Sequence, residues 1–192
     1  LPLIHNIMNH DLVAAISDKA TDQLFVLFNT PAGRDFLKAR GLSDELLEHL
    51  THMGFSSICN MLGAIATAKK LGLGADDAIV TIATDGGAMY SSELEGKILP
   101  RDFNGKFDAV DAATVYARHL NDVPTTYTIE MTRADKERIF NLGYYTWCEQ
   151  QGTPFELFME RKDQNFWEGL QKFVPIWDEM IKDFNAKVAS EA

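Results

Sequence analysis

The segment from Gly54 to Tyr90 constrains the fold more than any other part of the chain. It contains a glycine-led turn, a helix of mostly small residues (Ile58–Leu71), and a β-branched run (Ala78–Thr84) that stops at an acidic Gly-Gly turn. A helix that leads into a buried strand is typical of open α/β sheets, which bind ligands at the carboxyl ends of their strands. The segment therefore predicts both a fold class and the position of a binding site.

A second predicted strand precedes this segment. Leu12–Ile16 is a short continuous apolar run, as expected for a strand buried on both faces of a sheet. Asp18 or Thr21 is predicted to cap a first helix that ends at Asn29-Thr30-Pro31, Ala32–Arg40 is a second helix, and Ser43-Asp44 opens a third. Ser56 or Ser57 is predicted to cap the small-residue helix that follows. We therefore expect an α/β fold: part of an open, mostly parallel sheet flanked by helices.

The second half of the chain has a helical pattern. We expect residues 1–93 to form the sheet-containing domain and residues 94–192 a mostly helical extension packed on it. The connection Val123–Met131 is either an edge strand or an extended segment, because Pro124 cannot donate to a central ladder. Thr132-Arg133-Ala134-Asp135 and Thr153-Pro154-Phe155-Glu156 resemble capping boxes, each of which opens a helix. The predicted helices of the extension are Ala109–Leu120, Ala134–Gln151, Gln164–Phe173 and Pro175–Val188, together with the one opened at Thr153.

Composition excludes several classes of partner. Acidic residues outnumber basic ones by 28 to 18, and the formal charge of −10 repels nucleic acid and anionic membrane surfaces. No apolar run approaches the roughly 20 residues of a membrane span. Cys59 and Cys148 lie on predicted helices among apolar neighbours, which favours reduced thiols in the core. We expect a soluble cytoplasmic protein.

Two motifs carry a family resemblance. Gly54-Phe55-Ser56-Ser57 and Asp85-Gly86-Gly87-Ala88-Met89-Tyr90 occur in an order and spacing that resemble the fold type II pyridoxal-phosphate enzymes, the cysteine synthase and tryptophan synthase β superfamily. In that family a Gly-(Ile/Leu)-Ser-Ser-Gly-Ala segment opens a helix beside the cofactor. A later strand ends in a turn, often Asp-Ser-x-x-x-Tyr, whose hydroxyl bonds the pyridine nitrogen.

The resemblance implies a function as well as a fold. Residues 1–93 would be the carboxyl-terminal part of a fold type II domain, and the helical tail resembles that of a bacterial subgroup of the superfamily. The implied enzyme is a cysteine synthase-like lyase or transferase that uses pyridoxal 5'-phosphate for β-elimination or β-replacement on a small amino acid. The residues implied in cofactor binding are Gly54, Ser56, Thr84, Asp85 and Gly86.

Two departures from the family pattern affect the cofactor site. Ile58 replaces the glycine that follows Ser-Ser, and Gly86 lies where the hydroxyl partner of the pyridine nitrogen is normally found. The partner would then be Asp85 or Thr84, and a third interpretation is that Asp85 only bonds the amides of its own turn. A hydroxyl leaves the ring nitrogen largely unprotonated, whereas a carboxylate holds a proton there.

The family's Schiff-base lysine, phosphate loop and substrate-carboxylate loop belong to its amino-terminal half. We therefore expect no catalytic residue in this chain and a missing amino-terminal half or a companion chain that supplies the lysine. Lys19 starts a predicted helix and Lys69-Lys70 end one, so none of them resembles that lysine. Related enzymes are usually homodimers, so the resemblance also implies a homodimer.

Other functions remain open at this point. The main alternative is a non-catalytic α/β ligand-binding or regulatory protein with the same fold, since fold alone does not decide function. A hydrolase would need Cys59 or a serine paired with a histidine, and no Gly-x-Ser-x-Gly elbow is present. His49 and His52 could share a helix face around a metal, but no third ligand stands at a suitable spacing, and a solvated role is favoured.

Overall fold

The structure, a computed structural model, describes residues 6–191. Its contacts divide the chain into two compact units, one of residues 12–129 and the other of residues 1–11 with 130–192. Residues 93 and 94 both fall within the first unit. The division at residue 93 came from the family resemblance and stays a prediction.

The predicted open, mostly parallel α/β sheet is wrong. The described residues are 68% helical, and their one sheet is an antiparallel pair of short strands, β1 (Leu12–Ala14) and β2 (Thr128–Glu130). β1 lies in the first predicted strand, but Ala78–Thr84 joins no sheet in the described part of the chain. Val80 is 94% exposed, which is the opposite of a buried strand. Strand propensity measures how well side chains fit a pleated surface, and it does not supply the neighbouring strand.

Four helices precede the extended segment, and local signals start most of them. Ser17 accepts a hydrogen bond from the Lys19 N–H, and Ser43 accepts one from the Leu46 N–H. These side-chain bonds satisfy amides that a helix leaves free in its first turn. The helices are α1 (Asp18–Asn29), α2 (Pro31–Ala39), α3 (Asp44–Thr51) and α4 (Phe55–Leu71).

Helix α1 forms the centre of the core of residues 12–129. All five residues from Leu24 to Phe28 are at most 1% exposed, so the helix is covered on every side at this level. Its neighbours are α2, α3, α4 and α7 (Ala109–His119). Because α4 packs directly on α1, the turn before α4 is held against the core.

The remaining helical segments of this unit begin at the acidic Gly-Gly turn with a 3-10 helix (Gly87–Tyr90). α5 (Ser91–Glu93) continues through a π-helical segment (Leu94–Ile98) into α6 (Leu99–Phe103). Arg101 on α6 bonds both Asp22 and Asp102, at 2.7 and 2.8 Å, and the pair with Asp22 ties α6 to α1.

Residues 133–191 are mostly helical, and one of the two capping boxes predicted there is confirmed. The Thr132–Asp135 capping box is confirmed, but the one predicted at Thr153 is wrong, because α9 begins after Pro154 without a side-chain cap. Ile7, Phe140 and Phe158 form a small buried cluster. None of the helices described is both long and apolar enough to span a membrane. The helices are α8 (Arg133–Tyr144), a π-helical segment (Tyr145–Gln150), α9 (Phe155–Glu160), α10 (Gln164–Gln171) and α11 (Val174–Glu191).

Candidate functional site

The two motif segments lie side by side. The Gly54 N–H donates to the Asp85 carbonyl oxygen at 2.9 Å. A Cβ atom at Gly54 would lie 2.5 Å from that oxygen and 2.8 Å from a ring carbon of Tyr90. Only glycine therefore allows the turn before α4 to approach the acidic turn this closely.

Ser57 makes a second link between the segments. Its Oγ accepts a hydrogen bond from the Thr84 N–H at 2.9 Å and lies 3.2 Å from the Thr84 hydroxyl. The prediction that Ser56 or Ser57 caps its own helix is wrong, because α4 begins at Phe55 with Gly54 as its uncapped N-cap. Ser57 is only 2% exposed, so its hydroxyl is used inside the protein to hold the end of the extended segment.

The bend formed by Thr84, Asp85 and Gly86 presents polar groups to solvent. Thr84 and Asp85 are exposed, and Gly86 is half-buried. One carboxylate oxygen of Asp85 accepts a hydrogen bond from the Tyr90 hydroxyl at 3.0 Å. A side chain at Gly87 would collide with the Thr51 carbonyl, so the chain after the bend is packed against the end of α3. The bend is therefore held in place, with the Asp85 side chain exposed and the Thr84 hydroxyl in contact with Ser57.

Tyr90 connects the bend to the core. Its ring centroid lies 4.7 Å from that of Phe55 and 6.2 Å from that of Phe25, both in edge contacts. The pKa of Tyr90 is raised above its ordinary value, first by the hydrogen bond to Asp85, then by burial and by the Asp85 charge. The raised pKa favours the neutral phenol of Tyr90, and this phenol donates the hydrogen bond that orients the Asp85 carboxylate.

Changing Asp85 to Asn is expected to lower the pKa of Tyr90, because a neutral amide no longer opposes formation of the phenolate. Folding raises the pKa of Tyr90, so the bond between Tyr90 and Asp85 stabilises the folded state fully below pH 10, the ordinary pKa of tyrosine. This stabilisation is lost as the pH rises through the pKa of the folded state. Absorbance at the phenolate wavelength, compared with a Tyr90→Phe titration, isolates this residue among the five tyrosines. A Tyr90 titration that Asp85→Asn leaves unchanged would contradict the bond.

The groups at the bend fit a pyridine ring in part. A ring nitrogen needs a hydroxyl or a carboxylate within hydrogen-bond distance, and Thr84 and Asp85 offer one of each. The Thr84 hydroxyl is shared with Ser57, whereas Asp85 keeps one carboxylate oxygen beyond its bond to Tyr90. Because the side chains of Thr84 and Asp85 are exposed, this chain would cover only one side of a ring bound here. Ser56 is exposed on the adjoining first turn of α4.

The other candidate residues do not assemble into a site. The rings of His49 and His52 are 6.4 Å apart, and no group of three potential metal ligands occurs among the described residues. Cys59 lies on α4, and its pKa is raised by burial and then by the charge of Asp18. A raised pKa keeps the thiol protonated, which is the reverse of an activated nucleophile.

Sequence reasoning missed an aromatic cleft in residues 130–191. The Arg161 guanidinium lies 4.6 Å from the ring centroid of Trp147 and 5.8 Å from that of Trp167, beside a cavity of about 350 Å³. The Trp167 indole N–H donates to the Arg161 carbonyl at 2.8 Å. Trp147 and Trp167 both lie on predicted helices, but nothing in their spacing pointed to an arginine between them.

Comparison with known proteins adds no relative to these observations. No protein-family model, curated protein or solved structure matches the chain. The contacts that bear most specifically on function are those that join residues 54–57 to residues 84–90.

Proposed function

We propose that this chain supplies the pyridine-binding side of a pyridoxal-phosphate-dependent lyase or transferase that performs β-elimination or β-replacement on a small amino acid. The observation that supports this is the meeting of the two motifs that carry the resemblance to fold type II enzymes. The Gly54–Asp85 bond and the Ser57–Thr84 bond join them. Chance likeness in two short motifs would not require them to touch, whereas a shared binding site would.

Asp85 and Thr84 would bind different protonation states of the pyridine nitrogen. Bound pyridoxal phosphate supplies an electron sink for the reaction. Asp85 would hold a proton on the ring nitrogen through its carboxylate, and the Tyr90 hydroxyl would keep that carboxylate in one orientation. Thr84 would instead donate its hydroxyl hydrogen to an unprotonated nitrogen, in competition with its contact to Ser57. We favour Asp85, because only one of its two carboxylate oxygens bonds Tyr90, whereas the single hydroxyl of Thr84 is shared with Ser57.

The proposal assigns the reactive lysine to another polypeptide segment, either an amino-terminal half or a companion chain, within a homodimer. Lys69 is unsuited to the role because its Nζ bonds Asp122 at 2.7 Å and the Val123 carbonyl at 2.8 Å. It also lies in the last turn of α4, about 20 Å from Gly54 at a rise of about 1.5 Å per residue. This chain would bind and orient the ring, and the companion would react.

Cofactor binding is testable on this chain alone with 4-deoxypyridoxine 5'-phosphate, which lacks the aldehyde and cannot react with surface lysines. We expect the purified chain to bind it and Asp85→Ala to weaken binding by about tenfold or more, since a hydrogen bond to a charged group contributes about 1.5–3 kcal/mol. Isothermal titration calorimetry measures the dissociation constants.

Asp76→Ala is the matched control, because Asp76 is an exposed acidic residue in the loop that precedes the extended segment. It should bind the analogue as the wild type does. Equal weakening by Asp76→Ala and Asp85→Ala would show a general charge effect, and no binding by the wild type would remove the proposal.

A further inference from the structure

The extended segment 78–83 has a free main-chain edge. Among the described residues, no hydrogen bond involves the main-chain groups of residues 78–81. Two contacts to α4 hold the end of the segment: Asn60 donates to the Ile82 carbonyl at 2.9 Å, and Ser57 bonds Thr84. Val80 and Ile82 are 94% and 71% exposed. The segment therefore has the backbone and side chains of a strand but no partner strand in the described structure.

Strand β1 faces the same space, and its edge opposite β2 has no partner strand among the described residues. The Ala15 N–H donates to the Tyr127 carbonyl at 3.0 Å, on the side of β2. Because main-chain groups alternate in direction along a strand, those of Ala14 and Ile16 point to the opposite edge. Both residues line a groove of about 280 Å³ whose other wall includes Ile79, Val80 and Thr81.

Helix α4 forms the floor of this groove with small side chains. Gly63, Ala64 and Thr67 line it, together with Asn60 and Cys59. A Cβ atom at Gly63 would meet no other atom within 4 Å, so the space above this residue is open. Small residues let another backbone approach a helix closely. The groove thus has a strand edge on one side, an extended segment on the other and small side chains on its floor.

Four acidic residues flank the groove, and Lys69 and Lys70 follow Thr67 at the end of α4. Asp76 and Asp77 precede the extended segment, and Asp85 follows it. Asp18, after β1, lies close enough to act electrostatically on Cys59 in the floor. An occupant with basic residues at both ends would complement these charges.

We propose that this groove receives an extended strand from a different polypeptide, with β-branched side chains at alternate positions and Lys or Arg at both ends. The inserted strand would bond β1 on one side and residues 78–81 on the other, as in β-strand addition. A second copy of this chain fits poorly: antiparallel self-pairing about Thr81 places Asp77 opposite Asp85 of the copy, and like charges directly opposite destabilise a strand pair. The inference does not depend on the cofactor site, because none of the residues that line the groove belongs to the bend.

A labelled peptide tests the proposal with the full chain. The probe is acetyl-Lys-Lys-Val-Thr-Val-Thr-Val-Lys-Lys-amide carrying fluorescein, and fluorescence anisotropy gives its dissociation constant. We expect saturable binding, loss of binding when both threonines are replaced by proline, which has no N–H, and about tenfold weaker binding when glutamate replaces the lysines. Amide hydrogen exchange at residues 78–81 should slow when the peptide binds.

Gly63→Leu should abolish binding without unfolding the protein, because the new side chain enters the open groove and leucine favours helices. Gly169→Leu on α10 is the matched control: the space there is also open, and its binding should equal that of the wild type. Three results would each overturn the proposal: no saturable binding, equal binding by the proline peptide, or unchanged binding by Gly63→Leu. A dimer in sedimentation that Gly63→Leu dissociates would assign the groove to a second copy instead.

Discussion

Phe25→Ala is expected to lower the free energy of unfolding of the 12–129 unit by about 3–5 kcal/mol, the usual cost of removing a buried phenylalanine side chain. Phe25 is 1% exposed, and its ring lies 4.7 Å from that of Phe55 and 6.2 Å from that of Tyr90. The substitution would leave a cavity between the central helix and the candidate site. We therefore expect the Tyr90 ring to lose a packing contact together with the loss of stability.

Hydrogen exchange of the α1 amides in increasing urea is the suitable measurement, because all three tryptophans lie outside residues 12–129 and their fluorescence reports on the other unit. Phe184→Ala removes the same atoms from a side chain that is 66% exposed. This control should change stability by no more than about 0.5 kcal/mol. Similar effects of the two variants would contradict the assignment of α1 as the central helix.

Gly54→Ala is expected to separate the two motif segments. The added Cβ would lie 2.5 Å from the Asp85 carbonyl oxygen, a backbone atom that cannot swing aside, so the turn must move. We expect a loss of about 1–3 kcal/mol in stability, as for other overpacking substitutions. The pKa of Tyr90 should fall toward its ordinary value, because the Asp85 carboxylate would no longer be held against the phenol.

The absorbance titration of Tyr90 and binding of 4-deoxypyridoxine 5'-phosphate together read out this change. Gly63→Ala is the control, since alanine meets no neighbour there and should stabilise the helix by up to about 1 kcal/mol. If Gly54→Ala kept both the Tyr90 titration and the stability of the wild type, the close approach of the two turns would not be a constraint.

The candidate site was predictable in its parts and not in its connections. The sequence identified the turn before α4 and the acidic turn as a pair, and hydrogen bonds from Gly54 and Ser57 join them in the structure. It assigned the serine hydroxyl to the wrong partner, because a hydroxyl at the start of a helix usually bonds the next turn. The amide of Thr84, far along the chain, competes for the same acceptor, and only the packed structure brings it there.

Local chemistry determined the helices of this protein. Ser43 and the Thr132–Asp135 box start helices where the sequence places them, whereas α1 is capped by Ser17 and not by the predicted Asp18 or Thr21. Gly72, at φ 65°, ends α4 as predicted. Each of these signals acts within one or two turns of chain. The sheet was decided by tertiary structure, since a strand exists only where a second backbone lies beside it. Leu12–Ala14 has such a neighbour in β2, and Ala78–Thr84, with the stronger β-branched pattern, has none among the described residues. Strand formation depends on hydrogen bonds to a segment that is distant along the chain. The side chains of one run do not determine whether such a segment lies beside it.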